Sequence, residues 1–207
     1  MNSTPRSTSI EVELKFRIAS AAAVWQQLVE MGAIPSADET QHDLYFRHPC
    51  RDFVQTREAL RIRRVTITRS DSSGQLERSK ESRVTYKGPH LPGAIKARQE
   101  LEWTLNPSDP LGEQLQDLLT RLGFEAVTTV VKHRRSMTLH LEGHDVAVAL
   151  DEVEQVGSYA EVEVIAASET GLEAARQIVG RLAAELNLGE AEPRSYLSML
   201  LDQAGHK

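Results

Sequence analysis

The chain has 207 residues, 40% of them hydrophobic, enough to bury one core and to suggest a single domain. Acidic side chains outnumber basic ones, 30 to 24, for a formal net charge of −6, so there is no surplus basic face and nucleic-acid binding is not expected. The one cysteine, Cys50, cannot close an internal disulfide, and no apolar run reaches membrane-spanning length. A cytoplasmic protein without a membrane partner is expected. The opening residues lack the apolar centre of a signal peptide, and residues 1–8 read as a disordered tail ahead of one domain over 9–203.

In chain order, residues 10–18 alternate apolar and charged side chains without a break, the period-two pattern of a strand with one buried face. Ser20 is placed to cap a helix over Ala21–Met31, with Val24, Leu28 and Met31 on one side and Gly32 at its end. Strands are predicted near 41–47, 59–67, 82–88, 97–105, 128–140, 144–151 and 158–166. A leucine stripe over Leu111–Leu122 that stops at Gly123 predicts a second helix. Glu169–Leu186 predicts a third, and Ser195–Gln203 a short last one after Pro193. Ser70–Gln75 reads as a hydrophilic hairpin tip, and Gly88–Gly93, with its prolines and glycines, as a loop. So many amphipathic strands with few helices predict an α+β fold, an eight-stranded antiparallel barrel with flanking helices.

The polar faces of these strands carry the chemistry. The first has Glu11, Glu13, Lys15 and Arg17, and the third Arg61 and Arg63. The fourth has Thr85 and Lys87, the fifth Glu100 and Glu102. Lys132, Arg134 and Ser136 align on the sixth, Asp151 ends the seventh, and Glu161 and Glu163 share the eighth. Taken strand by strand, an ordinary charged exterior around an apolar interior accounts for this. The whole set also fits the reverse arrangement, with charges facing a lumen and apolar faces covered by helices, and that arrangement is costly unless the charges neutralise one another or a ligand. A triphosphate would suit such a lumen. Arginine and lysine grip phosphate oxygens, and paired carboxylates supply hard oxygen ligands to Mg²⁺ or Mn²⁺. No phosphate-binding P-loop, dinucleotide fingerprint, zinc cluster or nucleophile elbow competes.

Glu11-Val12-Glu13-Leu14-Lys15 resembles the ExExK signature of the CYTH superfamily, the triphosphate tunnel metalloenzymes. Leu60–Arg63, Tyr86–Pro89, Glu100 with Glu102, Lys132 with Arg134, Asp151 and Gly157–Glu163 continue the likeness in order, over about 9–201. The ending Glu192–Leu200 resembles the CyaB branch, which holds class IV adenylyl cyclases and thiamine triphosphatase-like relatives. The resemblance implies a tunnel with its polar faces inward, where Lys15, Arg61, Arg63, Lys87, Lys132 and Arg134 bind the triphosphate. It implies one or two Mg²⁺ or Mn²⁺ ions on Glu11, Glu13, Asp151, Glu161 and Glu163, and a catalytic set of Lys15, Lys87 and Glu13. Glu100, Glu102 and Arg194 are implied in secondary roles, Arg17 at the tunnel rim, and a homodimer as the assembly. The implied reaction is cyclisation of ATP to 3′,5′-cyclic AMP and pyrophosphate. The alternatives are hydrolysis of tripolyphosphate, thiamine triphosphate or a nucleoside triphosphate, and binding of a nucleotide or polyphosphate without turnover.

Other residues are expected to be structural. Asp43 and Tyr45 are assigned hydrogen bonds, Trp25 and Trp103 core or helix-to-sheet packing, and His133 the outer face. Cys50 lies in a loop with no activating base implied nearby. The loop 88–97 is placed as a solvated segment near the tunnel mouth, with Lys96 within reach of a ligand.

Overall fold

The structure is a computed structural model that describes residues 10–70, 76–93 and 95–205. The tail at 1–8 and most of the 70–75 hairpin tip lie outside the described residues. The strands are β1 (Ile10–Arg17), β2 (Ile34–Arg47), β3 (Ala59–Ser70), β4 (Leu76–His90), β5 (Lys96–Thr104), β6 (Glu125–Leu141), β7 (His144–Val153) and β8 (Gly157–Ala166). They close a barrel in the order β1-β5-β4-β3-β2-β6-β7-β8, every described pairing antiparallel. The helices are α1 (Ala21–Glu30), α2 (Phe53–Thr56), α3 (Glu113–Arg121), α4 (Leu172–Glu185) and α5 (Tyr196–Gln203).

The main apolar core lies outside the barrel. Val12, Phe16, Val148, Val162 and Val164 turn outward and pack with Leu28 of α1 and Val179 and Leu182 of α4. A second patch joins Phe46 and Ile62 on β2 and β3 to Leu119 of α3. With the apolar faces of the strands turned outward, their alternate residues turn inward, and this decides which of the two sequence arrangements holds: the charges line the lumen. At one end α5 plugs the barrel, where Tyr196 and Met199 pack against Tyr45, Val130 and Tyr159. Among the described residues no helix is long and apolar enough to cross a membrane.

Several expectations change in detail. β2 begins at Ile34 rather than near 41, and it pairs with β6 from Ile34↔Thr138 to Arg47↔Glu125. Its first half carries Pro35, Ser36 and Asp38, which read as loop; a register shift between Pro35 and Ala37 accommodates the proline. The α2 turn was not predicted, although Asp52 caps it by accepting from the backbone N–H of Val54 and Gln55. β4 continues to His90 through the predicted loop, with a register shift after Lys87. The leucine stripe is only partly buried: Leu119 packs inward, whereas Leu118 and Leu122 are 51% and 60% exposed. That helix starts at Glu113, where Asp109 accepts from the backbone N–H of Glu113, Gln114 and Leu115. Trp25 packs against the core beneath Arg135, as expected. Trp103 does not. It is 50% exposed on the outer face of β5, which the helices leave uncovered.

Candidate functional site in the barrel lumen

The lumen is part of a cavity of 2730 Å³, larger than the ~300–1,000 Å³ of common small-molecule sites. Its walls are built by register. Lys87 on β4 stands opposite Glu100 on β5, and its ammonium lies 2.6 Å from Glu100 and donates to both oxygens of Glu11 at 2.9 and 2.7 Å. Glu11 and Glu100 raise the Lys87 pKa even though burial opposes them.

Two further groups are stitched by arginine. Asp43 on β2 accepts a two-pronged pair from Arg63, at 2.7 and 2.8 Å, and a bond from Arg61 at 3.2 Å. Burial alone would raise Asp43, but Arg61 and Arg63 hold it well below the usual carboxylate range. Arg61 also donates to Thr85, whose hydroxyl donates to Glu102 at 2.7 Å. On β7, Asp151 accepts from Lys132 at 3.1 Å and from Arg134 at 2.6 and 2.5 Å, and Arg134 also bonds Glu161. Asp151 stays low against its burial because Arg134 and Lys132 face it. Burial and the neighbouring Arg134 push Lys132 down to about 8.

The remaining carboxylates behave differently. Glu13 on β1 and Glu163 on β8 are direct cross-strand partners, and among the described residues neither makes an ion pair or a side-chain hydrogen bond. Burial, then Glu161 and Glu11, raise Glu13; burial and the charge of Glu11 push Glu163 up to about 8. Like charges opposite one another on a sheet are unfavourable, so this pair is poised to accept a cation.

Among the described residues no three His, Cys, Asp or Glu side chains form a ready ligand set. Mg²⁺ usually takes only one or two protein carboxylates and completes its shell with water and phosphate, so the Glu13–Glu163 pair, with Glu11 and Glu161 beside it, fits such an ion. Asp151 is paired with Lys132 and Arg134, as Glu161 is with Arg134 and Glu11 with Lys87, whereas Glu13 and Glu163 make no ion pair among the described residues.

Lys15 is buried without an ion pair among the described residues, its ammonium 4.3 Å from the centre of the Tyr196 ring. Lys132 approaches the same ring at 5.1 Å. Arg17 is exposed and lines a separate small hollow with Arg194 and Asp202, consistent with a rim position. Arg194 borders the cavity from the segment before α5 and is held by Glu192 at 2.6 Å and by Asp202. His133 faces outward against Asp38. Sequence reasoning passed over Arg98, which lines the cavity 3.9 Å from Glu11 and shares strand parity with Glu100 and Glu102, the signal that would have found it. It also missed Tyr196, for which no sequence signal marks a lumen-facing ring.

A family model described as CYTH domain matches residues 9–196. A proposed adenylate cyclase of Methanocaldococcus jannaschii is 32% identical over 154 residues, covering 74% of this chain and 76% of that protein. A solved structure of a Pyrococcus horikoshii OT3 protein is 33% identical with a TM-score of 0.78, covering 93% of this chain and 99% of that one. A Hippeastrum protein, studied as an adenylyl cyclase and described as having a dominant triphosphatase activity, shares the fold at 18% identity and a TM-score of 0.58, over 96% of this chain and 97% of that one. A closed tunnel with an ionised lumen defines the class, and the chain belongs to the CYTH domain family, whose members act on triphosphates.

Proposed function

We propose that the protein is a metal-dependent enzyme that binds a triphosphate in the barrel lumen and cyclises ATP to 3′,5′-cyclic AMP and pyrophosphate. The observation that carries the reading is the lumen itself, where bases surround a carboxylate pair that makes no ion pair among the described residues. Phosphate oxygens replace carboxylates as partners of Lys87, Arg61, Arg63, Lys132 and Arg134, so the chain's own acids keep these bases oriented until substrate arrives. Lys15, unpaired over Tyr196, adds a further point charge.

Glu13 and Glu163 would hold Mg²⁺ or Mn²⁺, with Glu11 and Glu161 in support, and the ion would supply neutralisation of the phosphate charge. In cyclisation the ribose 3′-oxygen bonds to the α-phosphorus, the bond from that phosphorus to the α,β-bridging oxygen breaks, and pyrophosphate leaves. The hydroxyl proton needs an acceptor. Water in the open cavity takes it, since Lys132, at about 8, is mostly charged near pH 7 and serves as a phosphate partner. The cyclase reading is supported by the relative at 32% identity.

A second reading, attack of water on the terminal phosphate, is favoured by the retained pairs Glu100/Glu102 and Glu161/Glu163 and by the triphosphatase activity of the Hippeastrum protein on the same fold. Incubation with ATP or tripolyphosphate and Mg²⁺ or Mn²⁺, followed by product separation, distinguishes them. Cyclic AMP with equimolar pyrophosphate supports the first reading, and orthophosphate without cyclic AMP the second. Binding of tripolyphosphate with no product would leave a non-catalytic module.

A further inference from the structure

Where β5 leaves β1, the C-terminal segment takes its place. β1 pairs with β8 as far as Arg17↔Tyr159, but with β5 only from Ile10↔Gln99 to Glu13↔Lys96. On the edge left free, Phe16 bridges to Ala191, and the Glu192 N–H donates to the Lys15 carbonyl at 2.7 Å. Glu192 then holds Arg194, and the Ser195 hydroxyl caps α5 by accepting from the Ser198 N–H at 3.0 Å. The first residue of that helix is Tyr196. Its ring thereby returns to the residue whose backbone anchors the segment. The Lys15 ammonium lies 4.3 Å from the ring centre and that of Lys132 5.1 Å, while Tyr159 braces the ring edge-on at 5.4 Å.

Lys15 is 3% exposed, and an ammonium so buried is normally matched by a carboxylate. Its direct cross-strand partner is Glu161, yet Glu161 pairs with Arg134, and Lys15 makes no ion pair among the described residues. The ring face stands in that place, because it attracts a cation without carrying a full negative charge. The hydroxyl plays no part in this: it is buried with no hydrogen-bond partner among the described residues. We propose that Tyr196 is a positioning residue, whose ring holds the Lys15 ammonium out of a pair with Glu161, so that a phosphate oxygen meets it with no carboxylate to displace. The proposal rests on the triphosphate reading above and deepens it.

The test drains the ring of electrons while keeping its shape. Tripolyphosphate is titrated calorimetrically with Mg²⁺ into the full chain carrying Tyr196→Phe, and then into chains with singly, doubly and triply ring-fluorinated phenylalanine at position 196. Tyr196→Phe is expected to bind within about threefold of wild type, and affinity should fall stepwise with fluorination, to about tenfold weaker for the triply fluorinated ring. In a Lys15→Met background most of that fall should disappear, since the ring acts through the ammonium. A tenfold loss in Tyr196→Phe itself would move the role to the hydroxyl and overturn the proposal. Affinity indifferent to fluorination, or an equal fall in the Lys15→Met background, would overturn it too. Each of these leaves the triphosphate reading standing, whereas failure of the wild type to bind tripolyphosphate overturns both.

Discussion

Asp43 and Glu163 are carboxylates that face the lumen, the first fully buried and the second half-buried, and their acidities move in opposite directions. Asp43 is held ionised by Arg61 and Arg63, against a burial penalty that alone would raise it. Glu163, though less enclosed, has Glu11 and Glu13 as neighbours, and burial together with their charges pushes it up to about 8. Partner geometry, more than burial, separates them. Asp43 orients bases for a ligand, whereas the Glu13–Glu163 pair is itself in want of a cation.

The comparison breaks most sharply at Asp43. Asp43→Ala leaves two buried guanidinium groups uncompensated and is expected to cost about 3–5 kcal/mol of folding stability, read as a lower urea midpoint. A change under 1 kcal/mol would mean the arginines are solvated and the lumen is wetter than its burial implies.

Glu13→Ala should lower metal-dependent turnover at least about 10²-fold with the fold intact, since it removes an oxygen donor from a site that has few. Steady-state assays beside a thermal melt check it, and near-normal activity would remove the carboxylate pair from the metal site.

The third prediction concerns pH. The folded protein keeps a proton on Glu163 up to about 8, whereas an unfolded chain loses it near 4.5. Stability therefore falls as pH rises through that window, and the penalty is complete above it. In metal-free buffer Glu163→Gln should melt higher than wild type at pH 9, by roughly 2–4 °C for each kcal/mol recovered, and equal it near pH 4. Metal binding to the wild type should release protons and tighten from pH 6 to 8, visible in calorimetry as buffer-dependent heats. The smallest effect belongs to Trp103. Trp103→Ala should shift stability by under about 0.5 kcal/mol, because half the side chain is already exposed.

The sequence made the barrel legible because period-two alternation survives in nearly every strand, β1 most clearly. It did not say which face turns inward, since an alternating strand reads the same either way; the helices that cover Val12, Val162 and Val164 decide that only in three dimensions. The first half of β2 was hidden by Pro35 and its polar neighbours. For the site, the residues that meet phosphate or metal could be named from the ordered motifs, but their sorting could not. That Asp43 and Asp151 are claimed by arginines while Glu13 and Glu163 are not depends on register between strands far apart in the chain. Trp103 misled because an alternating apolar residue implies a covering partner that β5 lacks.

The most direct test of the central claim is a crystal structure grown with tripolyphosphate and Mn²⁺, with anomalous data collected at the manganese edge. The account predicts a manganese peak between the carboxylates of Glu13 and Glu163, and polyphosphate density running along Arg61, Lys87, Lys132 and Arg134. A manganese peak away from that pair, or phosphate confined to the outer surface of the barrel, would contradict it.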